Sequence, residues 1–339
     1  MIKTLRRFIL KSISISISIL FLSILMTITN LCFSFDSFNF QIATEVYGPV
    51  IVKEGTFSAS SMIIPWSSYW FPTKDPILFK DENSALRKYD RFVEFVTGKN
   101  PESARYHEEM LFNRDAVSWS GLCTTWSLAS IMEIEPKESV SFKIDHDNVL
   151  EFSSGDLKAL LIQSYTKVEQ KKEDIFGQRF DGVYDSIYAD IFPMQFHRLL
   201  QAELFDKKLP IIIDTDAGIE VWNSPIWYAK VKIVADSVLS TLVHVTTDVY
   251  YTSDKVTYNF RGAKSEWRRY TYDLKGSRMI DGQLLVDEGV WTGNSISDHP
   301  DYVRIKPSQK IIKASFNEKI DPKMVELILK GEMVTPEMH

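Results

Sequence analysis

Cys123 is the residue whose type and setting point most directly to chemistry. It stands in the run Trp119-Ser-Gly-Leu-Cys-Thr-Thr-Trp126, where Ser-Gly favours a tight turn and the residues that follow favour a helix. A cysteine at the start of a helix meets unpaired backbone N–H groups and the positive end of the helix dipole, which stabilise a thiolate and can hold an oxyanion. The run therefore predicts a nucleophilic cysteine whose oxyanion site is built into the same turn.

A cysteine nucleophile needs a base, usually a histidine, and a group that orients the base. The members of such a set meet in space rather than along the sequence, so spacing alone cannot choose among the six histidines. The candidates for the base are His197 first, with His244 and His299 as alternatives, and the candidates for the orienting group are Asp214 and Asn223. Asn223 follows a tryptophan, an arrangement similar to papain-like enzymes, where an amide holds the imidazole.

Tryptophans surround these candidates in the sequence. An apolar cleft that limits the access of water would favour transfer to another acceptor over hydrolysis. The residues predicted to line such a cleft are Trp119, Trp126, Trp222 and His299. Carboxylates also occur at Asp214 and Asp216 and again from Asp298 to Asp301, but neither run has the spacing of a full calcium loop. We therefore predict no metal site and no cofactor, and calcium is unsupported.

The elements that must position these residues differ between the two halves of the chain. Helical spacing and caps predict helices in the first half, with Ser154 as the cap of the third, over 83–96, 118–132, 154–167 and 193–205. Strand patterns follow Pro210, as a hairpin over 211–226 and further strands at 231–234, 242–251, 267–274 and 284–291. Helices followed by antiparallel strands indicate an α+β domain rather than a doubly wound α/β domain.

Bulk composition limits the classes of partner. The chain has 339 residues, of which 45% are hydrophobic and 25% charged, ordinary values for a globular protein. The net charge of -6 argues against nucleic acid as the main partner, because phosphate binding needs a basic surface.

The N-terminus has a different character from the rest. Residues 1–34 combine a basic start with an apolar run at 8–33, a pattern typical of a secretory signal cut after Ser34 or of a membrane anchor. We therefore expect a secreted or periplasmic protein, or one anchored to the membrane and facing outside. The remaining divisions that we expect are an N-terminal segment at 35–104 with a possible pro-region role, a catalytic domain at 105–305 and a helical C-terminal tail at 306–339.

Motifs in a fixed order resemble the transglutaminase elicitor family between about residues 105 and 305. The pieces that carry the resemblance are Trp119 to Trp126, Pro193 to His197, Glu220 to Pro225 and His299 to Tyr302. The resemblance implies a papain-like or transglutaminase-like α+β fold in which a helix-borne cysteine precedes an antiparallel sheet. The family's cysteine matches Cys123, and its Phe-His motif matches His197. The family shows Asn-Gly after the cysteine, where this chain has Thr124 and Thr125.

The activity implied by the resemblance is that of a protein-glutamine γ-glutamyltransferase. In that reaction a cysteine forms a thioester with the donor, a peptide glutamine. The acceptor, an amine, then attacks the thioester and frees the cysteine. The same residues would serve a cysteine protease or a glutamine deamidase if water replaced the amine. A third interpretation is a non-catalytic secreted elicitor or binding protein that has kept the fold.

Overall fold

The computed structural model describes residues 42–144, 148–168, 171, 174–180, 182, 190–216 and 218–332. The export segment expected at 1–34, with its apolar run 8–33, lies outside the described residues. Within the described ranges, no helix is long and apolar enough to cross a bilayer.

Antiparallel strands form the centre of the fold. In chain order they are β1 Ile51–Val52, β2 Gly55–Ser60, β3 Val140–Lys143, β4 Val149–Phe152, β5 Ile175–Gly177, β6 Ile211–Asp214, β7 Asn223–Ala235, β8 Leu242–Thr252, β9 Ser265–Arg278, β10 Leu284–Trp291 and β11 Tyr302–Ile305. Over the described residues, nine of them form one sheet in the order β1-β10-β9-β8-β7-β6-β11-β5, with β2 paired to β7. Strands β3 and β4 form a separate pair.

Helices cover this sheet and connect its strands. They are α1 Ala43–Tyr47, α2 Ala85–Thr97, α3 Ser103–Met110, α4 Cys123–Met132, α5 Ser154–Gln163, α6 Pro193–Leu199 and α7 Pro322–Lys330. Helix α6 continues without a break into a π-helical turn, Leu200–Asp206. The α+β class is confirmed, and the helix that begins at Cys123 precedes the antiparallel strands β6 to β10 as predicted. The strict order of helices before strands is not kept, because β1 and β2 precede α2 and because β3 and β4 lie between α4 and α5.

The apolar residues form two clusters. The first cluster contains residues of α2, α4, α5 and α7, among them Leu86, Phe92, Trp126, Leu160 and Ile328. The second contains residues of α6 and the central strands, among them Phe196, Leu199, Val245 and Tyr272. Ile212 belongs to the first cluster, whereas Ile211 and Ile213 belong to the second. Because successive side chains of a strand point to opposite faces, β6 separates the two clusters.

The hairpin β6–β7 fixes the residues that matter most for the site. Its register sets Asp214 opposite Asn223, and the turn between them spans 215–222. This confirms the hairpin predicted over 211–226. Since Asp214 ends one strand and Asn223 begins the next, both side chains lie at the same end of the hairpin.

Residues 42–104 contribute to the same sheet and core as the rest of the described chain. Strand β2 pairs with β7 from Gly55↔Ile233 to Ser60↔Tyr228. The Trp66 indole donates to the Glu133 carbonyl, and the Trp126 indole donates to the Trp66 carbonyl, each at 3.0 Å. The tail likewise buries Ile328 of α7 in the first cluster. The expected divisions at 104 and 305 therefore do not separate independent cores among the described residues.

One helix cap differs from the prediction by one residue. The hydroxyl of Ser153, rather than that of Ser154, accepts from the N–H of Asp156, and the Asp156 carboxylate accepts from the Ser153 N–H. This reciprocal pair is a capping box. Ser154 instead donates to the Pro136 carbonyl at 2.8 Å.

Candidate functional site

Cys123 is the first residue of α4 and lies where that helix packs against the start of β7. Its side chain is buried, with only 3% of the residue exposed. The thiol donates to the Val221 carbonyl, with 3.3 Å between sulfur and oxygen. The backbone N–H of Asn223 also faces the sulfur. The prediction of a cysteine at a helix start agrees with this geometry.

The resting thiol of Cys123 is protonated at neutral pH. Burial raises the pKa of the thiol to about 12, and the negative charges of Asp254 and Asp214 add to that effect. The Asn223 N–H and the Thr124 hydroxyl act in the opposite direction but are outweighed. The helix start therefore does not hold a resting thiolate, contrary to the sequence-based prediction, because burial and the two carboxylates outweigh the hydrogen bonds that favour the charged form.

Asn223 joins three elements through its amide group. Its Nδ2 donates to Thr124 Oγ1 at 2.8 Å, and its Oδ1 accepts from the Tyr302 hydroxyl at 2.9 Å. These bonds connect β7 to the first turn of α4 and to β11. The amide is thus occupied by Thr124 and Tyr302 rather than by an imidazole, so Asn223 positions the residue next to Cys123 instead of orienting a histidine.

Asp214 is fully buried, and only one of its two carboxylate oxygens accepts hydrogen bonds from the described residues. Its Oδ1 accepts from the backbone N–H groups of Trp222, at 2.8 Å, and Asp216, at 3.3 Å. Its Oδ2 is buried without a hydrogen-bond partner among the described residues. Burial raises the pKa of this carboxyl to about 7, although the two N–H donors act to lower it.

Two further buried carboxyls lie near this hairpin end. Burial raises the pKa of Asp254, two residues beyond β8, to about 6. Burial also raises the pKa of Asp301, which precedes β11, to about 8, and the charge of Asp214 adds to it. No group of three or more histidine, cysteine or acidic side chains arranged to hold a metal ion occurs within the described ranges.

His197, the first choice for the base, lies among the residues of the second cluster. Its Nδ1 is 2.7 Å from the Tyr272 hydroxyl, which in turn is 2.9 Å from Thr247 Oγ1. Burial lowers the pKa of this histidine to about 4, so the ring is neutral. The structure does not bring it to Cys123. In the described part of the chain, no histidine nitrogen forms a hydrogen bond with the sulfur.

The two alternative histidines are each held by carboxylates. His244 lies on the exposed side of β8 between Asp273, at 2.7 Å, and Asp236, at 3.0 Å. His299 stacks on Trp291, with 5.2 Å between ring centroids, and is bonded to Asp190 and to the Ser295 carbonyl. Burial is the largest single influence on the pKa of His299 and acts to lower it, but the hydrogen bond and charge of Asp190, with the Ser295 carbonyl and the charge of Asp301, together raise the pKa. Both rings are therefore engaged away from the sulfur.

The predicted cleft tryptophans divide into two groups. Trp126 is completely buried in the first cluster, so it is a core residue and not a cleft residue. Trp119 and Trp222 are half-buried near the site, with the Arg179 guanidinium over the Trp119 ring and the Trp222 indole donating to Glu220 at 2.8 Å. His299 contacts Trp291 rather than either of these.

Trp70 is a site residue that the sequence did not reveal. Its carbonyl accepts from the Leu122 N–H at 2.8 Å, and its ring centroid lies 5.5 Å from that of Trp222. The ring also covers Gly121, where an added Cβ would lie 2.4 Å from Trp70 Cε3. The glycine before the cysteine is the one sequence signal of this contact, since only a residue without a side chain permits such an approach.

Two comparisons with known proteins gave matches. Residues 114–266 match the model of the transglutaminase elicitor family. Among solved structures, the fold matches the GP42 transglutaminase from Phytophthora sojae with a TM-score of 0.61 and 18% identity, over 86% of this chain and 96% of that one. A search of the curated proteins gave no match. The resemblance to the transglutaminase elicitor family is thus confirmed, in a matched segment that contains Cys123 and in a fold similar to that of a transglutaminase.

Proposed function

We propose that the chain is a protein-glutamine γ-glutamyltransferase that works through a thioester on Cys123. The observation that carries this proposal is the position of Cys123 as the first residue of α4, within the residues that match the family. The first N–H groups of a helix have no partners within the helix, so they are available to an oxyanion that forms beside the sulfur.

The first half of the reaction forms the thioester. The Cys123 sulfur attacks the side-chain carbonyl carbon of a peptide glutamine, and the first-turn N–H groups of α4 stabilise the tetrahedral oxyanion. The C–N bond then breaks, and the leaving amide nitrogen departs as ammonia with the proton that the thiol gave up. In the second half, a primary amine attacks the thioester carbon, the C–S bond breaks, and an amine proton returns to the sulfur. The product is an isopeptide.

Asp214 is the group that we assign to proton transfer, in place of His197. Its unpartnered Oδ2 can accept a proton, and its charge acts on the Cys123 thiol. Since its pKa is raised to about 7, the carboxyl can both take up and release a proton near neutral pH. General acid–base help of this kind typically contributes roughly 10²–10⁴-fold to the rate.

The half-buried pair Trp70 and Trp222 supports transfer over hydrolysis. Two indole rings 5.5 Å apart beside the cysteine turn form an apolar surface that disfavours ordered water. A thioester sheltered there survives until an amine arrives. With a more open surface, the same residues would act as a deamidase or a protease.

The test uses one peptide and two conditions. A glutamine peptide is incubated with the protein, with and without a labelled primary amine, and both peptide label and free ammonia are measured. Amine labelling that disappears in Cys123→Ala, while circular dichroism and the unfolding transition are retained, supports the proposal. Release of ammonia without labelling of the peptide would show that the protein is a deamidase. Cleavage of the peptide would show that it is a protease.

The non-catalytic elicitor or binding protein is favoured by one observation. Cys123 is 3% exposed, and burial raises the pKa of its thiol to about 12. If the intact protein gives neither label nor ammonia, and Cys123→Ala behaves identically, the fold serves binding alone.

We also propose that the protein is exported. The basic start and apolar run at 1–34 support this, with cleavage after Ser34 or retention as an anchor at 8–33. N-terminal sequencing of the protein recovered outside the cytoplasm distinguishes the two, since only cleavage gives Phe35 as the first residue.

A further inference from the structure

A cavity of about 510 Å³ opens beside the turn that carries Cys123. Trp70 and Asp254 contribute to its wall, together with Lys255 and Lys264. Trp70 connects the cavity to the nucleophile, because its ring covers Gly121 and its carbonyl accepts from the N–H of Leu122, the residue before Cys123. The cavity is therefore adjacent to the proposed reaction centre and is not shared with His197.

Asp254 gives the inner wall a negative charge. The residue is 7% exposed, and its side chain forms no hydrogen bond or ion pair with another residue in the described ranges. Its charge is the largest electrostatic influence on Cys123. A carboxylate in this setting attracts a cation that can enter the cavity and approach the sulfur.

Trp70 and the two lysines determine which chemical groups the rest of the cavity wall attracts or repels. An indole ring attracts an ammonium group through its π face and an alkyl chain through its apolar surface. Lys255 and Lys264 are exposed, and the Lys264 ammonium donates to the Lys255 carbonyl at 2.9 Å. The Lys264 ammonium is also paired with the Glu266 carboxylate at 3.6 Å. The charge is thus negative at the inner wall, and Lys255 supplies positive charge at the exposed side.

We propose that this cavity is the subsite for the amine acceptor, which enters as an alkyl monoamine, such as a lysine side chain, with its ammonium group toward Asp254 and its chain along Trp70. This inference rests on the proposed transferase function. The ammonium group loses one proton to solvent, and the neutral amine attacks the thioester carbon. The C–N bond forms as the C–S bond breaks, and a second amine proton goes to the sulfur. A diamine of equal length is a poorer acceptor, because its second ammonium group meets the positive charge of Lys255.

Steady-state kinetics on the full protein test the subsite. In Asp254→Asn, the KM for n-pentylamine is expected to rise by about tenfold to a hundredfold, since a hydrogen bond to a charged group is lost, while the KM for the glutamine peptide is unchanged. Asp248→Asn is the matched control, because Asp248 lies on β8, is paired with Arg269 and does not line the cavity. Equal changes in the KM of both substrates, or an unchanged amine KM, would overturn the inference.

Binding to the unreactive protein separates this inference from the proposed function. Cys123→Ala is titrated with n-pentylamine and with 1,5-diaminopentane, and binding is followed by calorimetry and by tryptophan fluorescence. We expect the monoamine to bind more tightly than the diamine, and Asp254→Asn to weaken monoamine binding at least tenfold. Equal binding with and without the Asp254 carboxylate contradicts the subsite, whether or not the protein proves to be a transferase.

Discussion

A buried carboxyl with one unpartnered oxygen destabilises a fold, and Asp214 is such a group. Such costs are commonly retained where a residue must exchange protons during a reaction. The residues around it do not remove the cost, because the Trp222 and Asp216 N–H groups both bind the other oxygen. Asp214 is therefore expected to reduce stability while serving the proposed chemistry.

Replacement of Asp214 by asparagine is expected to stabilise the protein in a pH-dependent manner. The pKa of Asp214 is raised from 3.8 to about 7, so between these values the folded state binds more protons than the unfolded state. The stability that the wild-type carboxyl provides is thus present below about pH 4 and lost as the pH rises through about 7. The uncharged variant avoids this loss. Its free energy of unfolding relative to that of the wild type should therefore grow between about pH 4 and pH 7, by on the order of a few kcal/mol.

Urea unfolding at pH 5 and pH 8 measures this difference. Asp248→Asn is again the control, since Asp248 forms an ion pair with Arg269 at 2.6 Å and is not fully buried. The assignment of Asp214 as a desolvated carboxyl fails if the advantage of Asp214→Asn is the same at both pH values.

Some of the site could be predicted from the sequence because its parts are local. Cys123 with its turn, and Asp214 with Asn223 across one hairpin, lie in short motifs with clear local signals. The role of His197 could not be predicted, because it depends on a hydrogen bond to Tyr272, which is 75 positions away in the chain. Likewise, the thiol pKa depends on burial, which no local pattern gives.

At the scale of elements, the start of α4 depends on a close contact with the segment around Trp70. The Thr73 N–H donates to the Ser120 carbonyl, and the Leu122 N–H donates to the Trp70 carbonyl, both at 2.8 Å. Gly121 lies between these two bonds and under the Trp70 ring. The turn that positions Cys123 is thus held from outside its own helix.

A methyl group at Gly121 is expected to disturb this contact. In Gly121→Ala the new Cβ would lie 2.4 Å from Trp70 Cε3 and 3.1 Å from the Phe71 carbonyl oxygen, so the indole must move. We expect a loss of about 1–3 kcal/mol in the free energy of unfolding, typical of overpacking, and a lower rate of the proposed amine transfer. Thermal unfolding and the amine-labelling assay measure the two effects.

The Trp70→Leu background gives the control for that variant. If the clash with the indole is the cause, Gly121→Ala should cost at least about 0.5 kcal/mol less in this background, as expected for residues in contact. The same cost in both backgrounds would show that Gly121 acts through the backbone instead.

The elements that the sequence predicted are those whose signals are local. The helices α2 and α5 and the strands β8 and β10 were predicted to within a few residues, because each has a clear period or cap. Strand β2 was not predicted, since five of its six residues are exposed and its pairing depends on β7. Strands β5 and β11 are only 3 and 4 residues long and gain their structure from each other and from β6.

At the scale of the whole molecule, residues 42–104 are part of the folded unit. They supply β1, β2 and α2, and the α2 residues Leu86, Tyr89 and Phe92 are almost completely buried. Each large apolar side chain buried in this way contributes roughly 1.5–3 kcal/mol. Loss of the contributions of all three side chains approaches the whole net stability of a typical domain, about 5–15 kcal/mol.

A chain that begins at residue 105 is therefore expected not to fold. Urea unfolding followed by circular dichroism should show no cooperative transition for this truncation, whereas a chain that begins at residue 42 keeps every described element and should show one. A pro-region predicts the opposite result. If the chain from 105 folds and labels peptides faster than the longer one, residues 42–104 inhibit the enzyme.

The pairing of β2 with β7 also has a consequence for how the protein is made. Residues 55–60 leave the ribosome long before their partners at 228–233, which are more than 160 positions later. At synthesis rates of roughly 5–20 residues per second, β2 waits on the order of ten seconds or more with its backbone unpaired. Such a high contact order slows folding and leaves the nascent chain unfolded during that interval. A chain in this state remains suitable for threading through a translocation pore, and a binding chaperone would have the same interval in which to act.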